Sequence, residues 1–210
     1  MVTIALFGAT GKTGGRVLTR ALAAGYRVRA LVRDPTKLAV SSPMLTVIRG
    51  DVRDPAAVDE TVAGSDVVLS LFGQVKGSSP TLQTDGTRLI VEAMKRHGVR
   101  RIVTLSGGGL SAPLDRPKVP DRVIRFLLKT LSGHVLADAE GHLEVLRSSG
   151  VEWTVVRGPR LIEKPGTGQY RVGWVGVNAS TQISRDDLAD FLLTQVEDRT
   201  FVRQMPFISA

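Results

Sequence analysis

The chain contains no cysteine, which excludes disulfide bonds and thiolate metal sites, and we predict no metal site. Aromatic residues make up only 5% of the sequence, and no apolar run reaches the length of a membrane span. The N-terminus starts directly on a β-prone run, without the charged and apolar leader of an exported protein. Together these absences predict a cytoplasmic protein without a membrane span.

The remaining composition is that of an ordinary globular chain. Hydrophobic residues account for 42% and charged residues for 23% of 210 residues, a length that suits one domain with a full core. The formal net charge of +8 is compatible with an anionic partner, and nucleic acid is one candidate. Lysine and arginine are scattered, however, and few aromatic rings accompany them. An NADP-type cofactor or an arginine-rich proteome explains the charge at least as well, so we do not favour nucleic acid.

Apolar β-prone runs alternate with amphipathic segments along the chain. The predicted strands cover residues 2–7, 27–32, 45–48, 66–72, 101–105 and 153–156. The predicted helices cover residues 16–24, 80–97 and 138–147, the second with Ser79 as its N-cap and Gly98 as its stop, the third with Gly150 as its stop.

This alternation predicts an α/β fold with a Rossmann-type, doubly wound parallel sheet covered by helices on both faces. We expect a single domain over residues 1–210. Ligands bind such sheets at the carboxyl ends of the strands, near the switch point, so the residues after each strand carry the function. The C-terminal part, about residues 151–210, is expected to complete the substrate side.

A glycine-rich turn directly follows the first predicted strand and precedes an amphipathic helix. Glycine allows a tight turn and a close approach to a ligand, and the N-terminus of the next helix suits a pyrophosphate. A triphosphate-binding loop is excluded, because it needs a glycine five residues before Gly11, where Leu6 stands. We predict a dinucleotide-binding turn, with a turn that only caps the helix as the alternative. The predicted cofactor-binding residues of the dinucleotide-binding turn are Gly8, Thr10, Gly11, Lys12, Thr13 and Gly14.

The second predicted strand ends at Arg33, close to where an acidic residue would bind the ribose 2′-hydroxyl of NAD. An arginine there accommodates a 2′-phosphate instead, so the sequence favours NADP(H) as the cofactor. Lys12 adds a second positive charge nearby. Asp34 comes one residue later, and we interpret it as the cap of a short turn over residues 35–38.

The third and fourth predicted strands end on residues that suit the adenosine half of a dinucleotide. Asp51 and Val52 follow the third strand, where a carboxylate accepts a hydrogen bond from the exocyclic amine of adenine. An ordinary turn aspartate is the alternative for Asp51. Phe72 and Gly73 follow the fourth strand, where a small residue lets the ribose lie against the backbone.

The fifth and sixth predicted strands lead to the nicotinamide half. Ser106 follows the fifth strand with its hydroxyl directed toward the nicotinamide, and it is the candidate catalytic residue. A turn or cap serine is the alternative. Pro159 follows the sixth strand, where the backbone is expected to face the nicotinamide.

These residues resemble the atypical short-chain dehydrogenase/reductases, in particular the NmrA-like group that includes the biliverdin IXβ reductase (flavin reductase)-like proteins. The resemblance implies that the glycine-rich turn holds the pyrophosphate and that Arg33 holds the 2′-phosphate of NADP(H). It also implies that Asp51 and Val52 contact adenine and that Ser106 lies beside the nicotinamide. The resemblance is specific for fold and cofactor and much less specific for substrate. It is carried by residues 8–14, 31–34, 50–52, 61–66, 92–99, 146–150, 153 and 183–188.

One departure from this family concerns the proton donor. Typical members carry a tyrosine and a lysine four residues apart on the helix after the fifth strand, whereas residues 133–142 contain neither. The two tyrosines, Tyr26 and Tyr170, lie elsewhere. Carbonyl reduction by a tyrosine acid is therefore not favoured, while the nitrogens of a flavin or tetrapyrrole can be protonated by water. His134 and His142 remain as candidate acids, with a structural or solvated role as the alternative.

We therefore predict an NADPH-dependent reductase that transfers hydride to a small-molecule acceptor of the flavin, quinone or tetrapyrrole type, as a monomer or a dimer. A non-enzymatic, NmrA-like redox sensor that binds NADP(H) is the alternative, and a nucleotide-sugar epimerase is third. Lys118, Arg122, Arg125 and Lys129 also share one helical face. Three roles fit this face: a solvated surface, a surface for a membrane or an acidic partner, and a lid that attracts an anionic substrate.

Overall fold

The computed structural model describes residues 1–75, 77–119, 121–123, 130 and 133–210. Strands and helices alternate over most of this length, and a short 3-10 helix, Pro35–Lys37, follows the second strand. In chain order the elements are β1 (Thr3–Phe7), α1 (Lys12–Ala23), β2 (Arg27–Val32), β3 (Leu45–Arg49), α2 (Pro55–Val62), β4 (Val67–Ser70), α3 (Leu82–His97), β5 (Arg101–Gly107), α4 (Gly133–Ser149), β6 (Glu152–Gly158), β7 (Arg160–Ile162), β8 (Arg171–Gly173), β9 (Gln182–Ser184), α5 (Arg185–Thr194) and β10 (Phe207–Ser209).

Eight of these strands form one sheet in the order β3-β2-β1-β4-β5-β6-β10-β8. Neighbouring strands are parallel except for β10 and β8, and β7 pairs separately with β9. From β1 the chain moves outward to β3, then crosses back to β4 and continues in the other direction. The strand order therefore reverses between β1 and β4, which confirms the predicted doubly wound sheet and locates its switch point.

Two apolar layers cover the two faces of the sheet. Ile4 and Leu6 of β1 belong to the layer formed with α1 and α5, while Ala5 and Phe7 belong to the layer formed with α2, α3 and α4. Because both faces are buried, the central strands consist of continuous apolar runs rather than alternating ones. This is why all six predicted strands correspond to β1 to β6.

Two helices start earlier than the sequence pattern predicted. α1 begins at Lys12 rather than at Arg16, because Gly11 adopts the extended N-cap conformation immediately after the glycine-rich turn. α4 begins at Gly133 rather than further along the chain. The predicted helix stops are correct, since Gly98 and Gly150 have φ angles of +70° and +81°. Glycine tolerates that left-handed conformation, so these stops are visible in the local sequence.

The N-terminus of α3 is capped from another helix. This helix begins beyond Ser79, so the prediction of that residue as N-cap is wrong, and the actual N-cap, Thr81, makes no side-chain capping hydrogen bond. The carboxylate of Asp138 on α4 instead accepts hydrogen bonds from the backbone N–H groups of Gln83 and Thr84, both at 2.9 Å. A carboxylate at this position stabilises the helix, and here it also joins α3 to α4.

The predicted basic helical face lies partly outside the described residues, which do not include Arg125 and Lys129. Lys118 and Arg122 are exposed, and the backbone N–H of Lys118 donates to the carboxylate of Asp121 at 2.8 Å. The three roles considered for this face stay predictions. Within the described part of the chain, no helix combines the length and apolar character that crossing a bilayer requires.

Candidate functional site

The loop between β1 and α1 is a tight turn that requires glycine at two positions. Gly8 has a φ of +90°, and a Cβ on it would lie 2.7 Å from the carbonyl carbon of Leu71. A Cβ on Gly14 would lie 2.0 Å from the carbonyl oxygen of Gly8. A 3.0 Å hydrogen bond from the N–H of Gly11 to the same carbonyl closes the turn. The turn is therefore pressed against the chain that leaves β4, at the switch point.

Gly11 differs from the other two glycines because it is exposed and less crowded. Its φ is −77°, and the nearest atom to an added Cβ is the carbonyl oxygen of Gly8 at 3.2 Å. Gly11 and Thr10 are exposed, and the first turn of α1 carries no acidic residue. The N–H groups of a helix N-terminus attract an anion. The turn is thus an open, backbone-lined cradle that fits the pyrophosphate of a dinucleotide.

Lys12 and Thr13, at the start of α1, join a charged cluster that the sequence analysis missed. Glu163 pairs with Lys12 at 3.1 Å, with Arg16 at 3.0 Å and with Arg185 at 2.8 Å. Arg185 also donates a hydrogen bond to the hydroxyl of Thr13 at 3.0 Å. Arg16 and Glu163 are 147 positions apart in the chain, so no local pattern connects them.

Arg33 and Asp51 follow the ends of the neighbouring strands β2 and β3. The N–H of Gly50 donates to the carbonyl of Val32 at 3.0 Å, which brings the two strand ends together. Burial acts to raise the pKa of Asp51, but hydrogen bonds from Arg53 and the nearby charge of Arg33 hold it below its ordinary value. Asp51 is therefore ionised at neutral pH, and its ion-pair partner is Arg53 at 2.9 Å. Arg33 is exposed.

Asp34, which follows Arg33 in the chain, caps a turn. Its carboxylate accepts hydrogen bonds from the backbone N–H and the hydroxyl of Thr36, at 3.1 and 2.6 Å, and so caps the short 3-10 helix. The interpretation of Asp34 as a turn cap is confirmed. Arg33 is thus the charged residue at the end of β2 that has no capping role.

Val52 and Phe72 form an apolar corner against α3. A Cβ on Gly86 would lie 2.8 Å from the ring of Phe72 and 2.9 Å from a methyl of Val52, so the helix approaches both side chains at this glycine. The carbonyl of Phe72 accepts a hydrogen bond from the side chain of Gln83 at 3.3 Å, and Gly73 beside it is exposed. The sequence analysis missed Gly86, although a lone glycine inside an amphipathic helix was a usable signal of close packing.

Ser106 and Pro159 lie at the carboxyl ends of the adjacent strands β5 and β6. Ser106 is 9% exposed, and its hydroxyl makes no hydrogen bond to any residue that the structure describes. Its register partner on β6 is Arg157, and Thr104, two positions earlier on β5, points to the same face of the sheet. Ser106 therefore stands at the same sheet edge as the residues after β1 to β4.

His142 on α4 is a buried and neutral histidine. Its Nδ1 lies 2.7 Å from the hydroxyl oxygen of Thr87, and its Nε2 lies 3.2 Å from that of Thr104. Burial lowers the pKa of His142 to about 4. With both ring nitrogens engaged and no charge at neutral pH, it links α3, α4 and β5 rather than donating protons. His134, the other candidate, is exposed near the start of α4.

This histidine leads to a prediction about acid stability. Unfolding returns its pKa from about 4 to an ordinary 6.5, so the unfolded chain binds an extra proton between these values and stability falls as the pH drops through this window. We expect the titration of His142 to lower the free energy of unfolding by about 2 kcal/mol when the pH falls from 8 to 5. Urea unfolding at both pH values measures it. His142→Gln should remove this part of the pH dependence, and an equal dependence in both proteins would contradict the prediction.

A buried ion pair fixes the loop that follows β5. The side chain of Arg157 is fully buried, and two of its nitrogens lie 2.8 Å from the two carboxylate oxygens of Asp115. Arg157 also donates to the carbonyls of Leu110 and Met205, while Asp115 accepts from the N–H of Val175 at 3.0 Å. Burial acts to raise the pKa of Asp115, but the hydrogen bonds from Arg157 keep it low. The pair thus joins the loop, β6 and the turn after β8.

A cavity of about 340 Å³ lies beside this ion pair. Trp174 packs partly against the core, while Leu114 and Val177 expose apolar side chains. Arg116 is exposed and has no ion-pair partner among the described residues. The cavity is lined by Pro113, Leu114, Asp115, Arg116, Trp174 and Val177. Sequence reasoning did not find it, because its walls come from two distant segments.

The doubly wound sheet and the glycine cradle at its switch point define a Rossmann-type nucleotide-binding protein. Comparison with known proteins identifies the family. Residues 8–199 match the family model described as NAD(P)H-binding, and the chain belongs to this NAD(P)H-binding family. This match confirms the expected class of cofactor, a nicotinamide dinucleotide.

Known structures and sequences show the same relationship. A short-chain dehydrogenase/reductase from Veillonella parvula in complex with NADP has a TM-score of 0.82 and 20% identity, over 100% of this chain and 94% of its own. ChuY, an anaerobilin reductase from Escherichia coli O157:H7, has a TM-score of 0.77 and 18% identity, over 100% and 97%. An uncharacterized chloroplast protein of Arabidopsis thaliana is 28% identical over 196 residues, covering 87% of this chain and 68% of its own length. The two structural matches establish a shared fold.

Proposed function

We propose that the protein is an NADPH-dependent reductase that transfers hydride to a flavin, quinone or tetrapyrrole-like acceptor. The proposal is carried by the open glycine cradle at the switch point, with Arg33 and Asp51 following the neighbouring strands β2 and β3 at the same sheet edge. It includes a cytoplasmic location, a small-molecule acceptor rather than a nucleic acid, and a monomer or a dimer. When bound, the nicotinamide supplies the hydride, and the protein supplies placement.

In this proposal the residues at each strand end bind a different part of the cofactor. The backbone of Gly11 and the first turn of α1 hold the pyrophosphate, with the charge of Lys12 close by. Asp51 accepts a hydrogen bond from the exocyclic amine of adenine, and the apolar corner of Val52 and Phe72 packs against the adenosine half. The ends of β5 and β6 face the nicotinamide.

Cofactor choice tests the role of Arg33. Because this residue stands where an acidic ribose ligand would be, we expect tighter binding of NADP(H) than of NAD(H). Arg33→Ala should lose a charge-assisted phosphate contact, which costs roughly 1.5–3 kcal/mol, or about 10- to 150-fold in affinity for NADPH. Calorimetry on both cofactors measures it. An equal loss for NADH would show that Arg33 has only a structural role.

We assign the side chain of Ser106 to the nicotinamide end of the cofactor, where hydride transfer takes place. α4 carries neither tyrosine nor lysine, and His142 is neutral with both ring nitrogens engaged. The hydroxyl of Ser106 makes no hydrogen bond within the described part of the chain, and so it can bond the carboxamide, orient the acceptor or relay a proton from water. An acceptor whose nitrogens take a proton from water suits such a site better than a simple carbonyl.

Removal of this hydroxyl in Ser106→Ala is expected to slow turnover by about 10- to 100-fold, or roughly 1.4–2.7 kcal/mol, with little change in NADPH affinity. The loss is partial because hydride transfer depends mainly on placement of the cofactor. Steady-state kinetics with the acceptor and calorimetry with NADPH separate the two effects. An unchanged rate constant would remove Ser106 from the reaction, and complete loss with intact binding would make it the essential proton donor.

The cavity beside the buried ion pair is the proposed acceptor site. Trp174 offers an aromatic surface, and Leu114 and Val177 offer apolar contacts. Arg116 offers a cation that has no ion-pair partner among the residues described by the structure. This combination suits a planar ring system with an anionic group, such as a flavin phosphate. Trp174 and Val177 lie beyond residue 151, which supports the proposal that residues 151–210 complete the substrate side of a single domain.

A redox sensor that binds NADP(H) without turnover is the second candidate. The lack of a tyrosine and lysine on α4 favours it, whereas the cavity favours a reductase. A nucleotide-sugar epimerase, the third candidate, is disfavoured by the same missing tyrosine.

A screen of NADPH oxidation against FMN, FAD, quinones and biliverdin tests the proposal. We expect turnover with at least one of these planar acceptors, under conditions where calorimetry shows NADPH bound. Binding of NADPH without oxidation by any of them would reject the reductase and favour the sensor. No binding of either cofactor would reject both.

A further inference from the structure

Three cations surround one carboxylate directly beside the glycine-rich turn. Oε1 of Glu163 lies 3.1 Å from Nζ of Lys12 and 2.8 Å from Nε of Arg185, and Oε2 lies 3.0 Å from a guanidinium nitrogen of Arg16. Lys12 and Arg16 belong to α1, Arg185 is the first residue of α5, and Glu163 directly follows β7. One acidic side chain thus ties the start of α1 to two segments of the C-terminal part.

Two of these cations lie next to the cradle where the phosphates of a dinucleotide are proposed to bind. Lys12 follows Gly11, the N-cap of α1, and Arg185 donates a hydrogen bond to the hydroxyl of Thr13. The side chains of Lys12 and Glu163 are 70% and 47% exposed, so solvent reaches their ion pair and a competing anion can displace it. Hydrogen bonds from Lys12 and Arg185 hold the pKa of Glu163 below its ordinary value, and it is charged at neutral pH.

The other charges of the cluster distinguish these two cations from Arg16. Arg16 also pairs with Asp186 at 3.2 Å, so it keeps a carboxylate partner without Glu163. Among the residues that the structure describes, Lys12 and Arg185 have Glu163 as their only carboxylate partner. Loss of the charge on Glu163 would therefore free two cations beside the cradle while the rest of the cluster stays paired.

We propose that Glu163 is an internal competitor for the phosphates of the cofactor. Its carboxylate occupies Lys12 and Arg185 in the free protein, and a bound phosphate takes over these cations. The carboxylate then faces an anion at close range, which opposes binding and favours release of the cofactor. Glu163 in this way sets the affinity for NADP(H) without contacting the reacting atoms. This inference rests on the proposed cofactor site and is independent of the acceptor.

The first test removes the charge and keeps the shape. Glu163→Gln should bind NADPH about 3- to 10-fold more tightly at low salt, with a smaller gain at high salt, because the contacts are exposed. Calorimetry with NADPH at both salt concentrations measures this. Glu197→Gln is the matched control, since Glu197 is an exposed residue just beyond α5 that contacts Tyr26 instead of the cradle. It removes the same charge and should change the affinity less than twofold.

A double-mutant cycle tests the competition itself. Lys12→Ala should weaken NADPH binding about twofold in the natural protein, because a phosphate gains this lysine only by displacing Glu163. In the Glu163→Gln background the same change should cost about fivefold or more. Additive effects in the cycle, or weaker binding by Glu163→Gln, would overturn the proposal and make Glu163 a residue that positions the cations. Absence of NADPH binding in the natural protein would instead refute the cofactor site, so the two failures are distinguishable.

Discussion

Replacement of Gly11 by valine is expected to abolish cofactor binding while the fold survives. Gly11 has a φ of −77°, which any residue adopts. An added Cβ would lie 3.2 Å from the carbonyl oxygen of Gly8, a close contact that requires a shift of a few tenths of an ångström within the loop. The branched side chain would then fill the cradle where the pyrophosphate approaches. Calorimetry should show NADPH binding weakened by more than about 100-fold, since a phosphate loses several charge-assisted hydrogen bonds. Circular dichroism and urea unfolding should show a native fold.

Two neighbouring glycines provide the controls for this result. Gly15→Ala should leave cofactor binding intact, because its added Cβ would lie 3.5 Å from the carbonyl oxygen of Ala9, an ordinary contact. Gly14→Ala should disrupt the turn itself, because its Cβ would lie 2.0 Å from the carbonyl oxygen of Gly8. If Gly11→Val bound NADPH within a few-fold of the natural protein, the dinucleotide site would be elsewhere.

Replacement of Asp115 by alanine is expected to produce the largest loss of stability. It would leave the guanidinium of Arg157, whose side chain is fully buried, without its counter-ion. Breaking a buried ion pair on one side costs about 3–5 kcal/mol, because the remaining charge is uncompensated. Urea unfolding should show this loss. The N–H of Val175 also loses its acceptor, so the walls of the cavity should loosen and turnover should fall with stability.

The double variant Asp115→Leu/Arg157→Met separates the ion pair from the rest of the packing. Removal of both charges should recover part of the lost stability, since neither group is then buried unpaired. Asp59→Ala, which breaks surface contacts with Arg96 and His97, should change stability little. A loss in Asp115→Ala no larger than in Asp59→Ala would mean that Arg157 is well solvated without its partner.

The features that could be predicted from the sequence are those that one segment determines by itself. The strands were predicted because a parallel strand buried on both faces is a continuous apolar run. The stop of α3 at Gly98 was predicted because only glycine adopts a positive φ without strain. The glycine-rich turn was predicted for the same reason, since its close contact joins Gly14 to Gly8 within one loop.

The cap of α3 shows where this local reasoning ends. Ser79 followed by proline is a typical helix start, yet the carboxylate that caps the helix comes from Asp138 on α4. A charged acceptor is a stronger cap than a hydroxyl. Asp138 reaches the N-terminus of α3 only when the folded chain brings α4 beside it. His142 illustrates the same limit. The sequence position of His142 was compatible with a proton donor. In the folded protein the residue is buried between Thr87 and Thr104, which makes it a neutral, structural histidine.

By itself the sequence determined the α/β class, the glycine-rich turn and the arginine at the end of β2, because each depends on local periodicity or on the conformation of a few adjacent residues. Only the tertiary structure decided the cap by Asp138, the Asp115–Arg157 pair, the cavity and the cluster around Glu163. These features join side chains that lie far apart in the chain. Their free energies depend on burial and on neighbouring charges, which exist only after the sheet and its helices have come together.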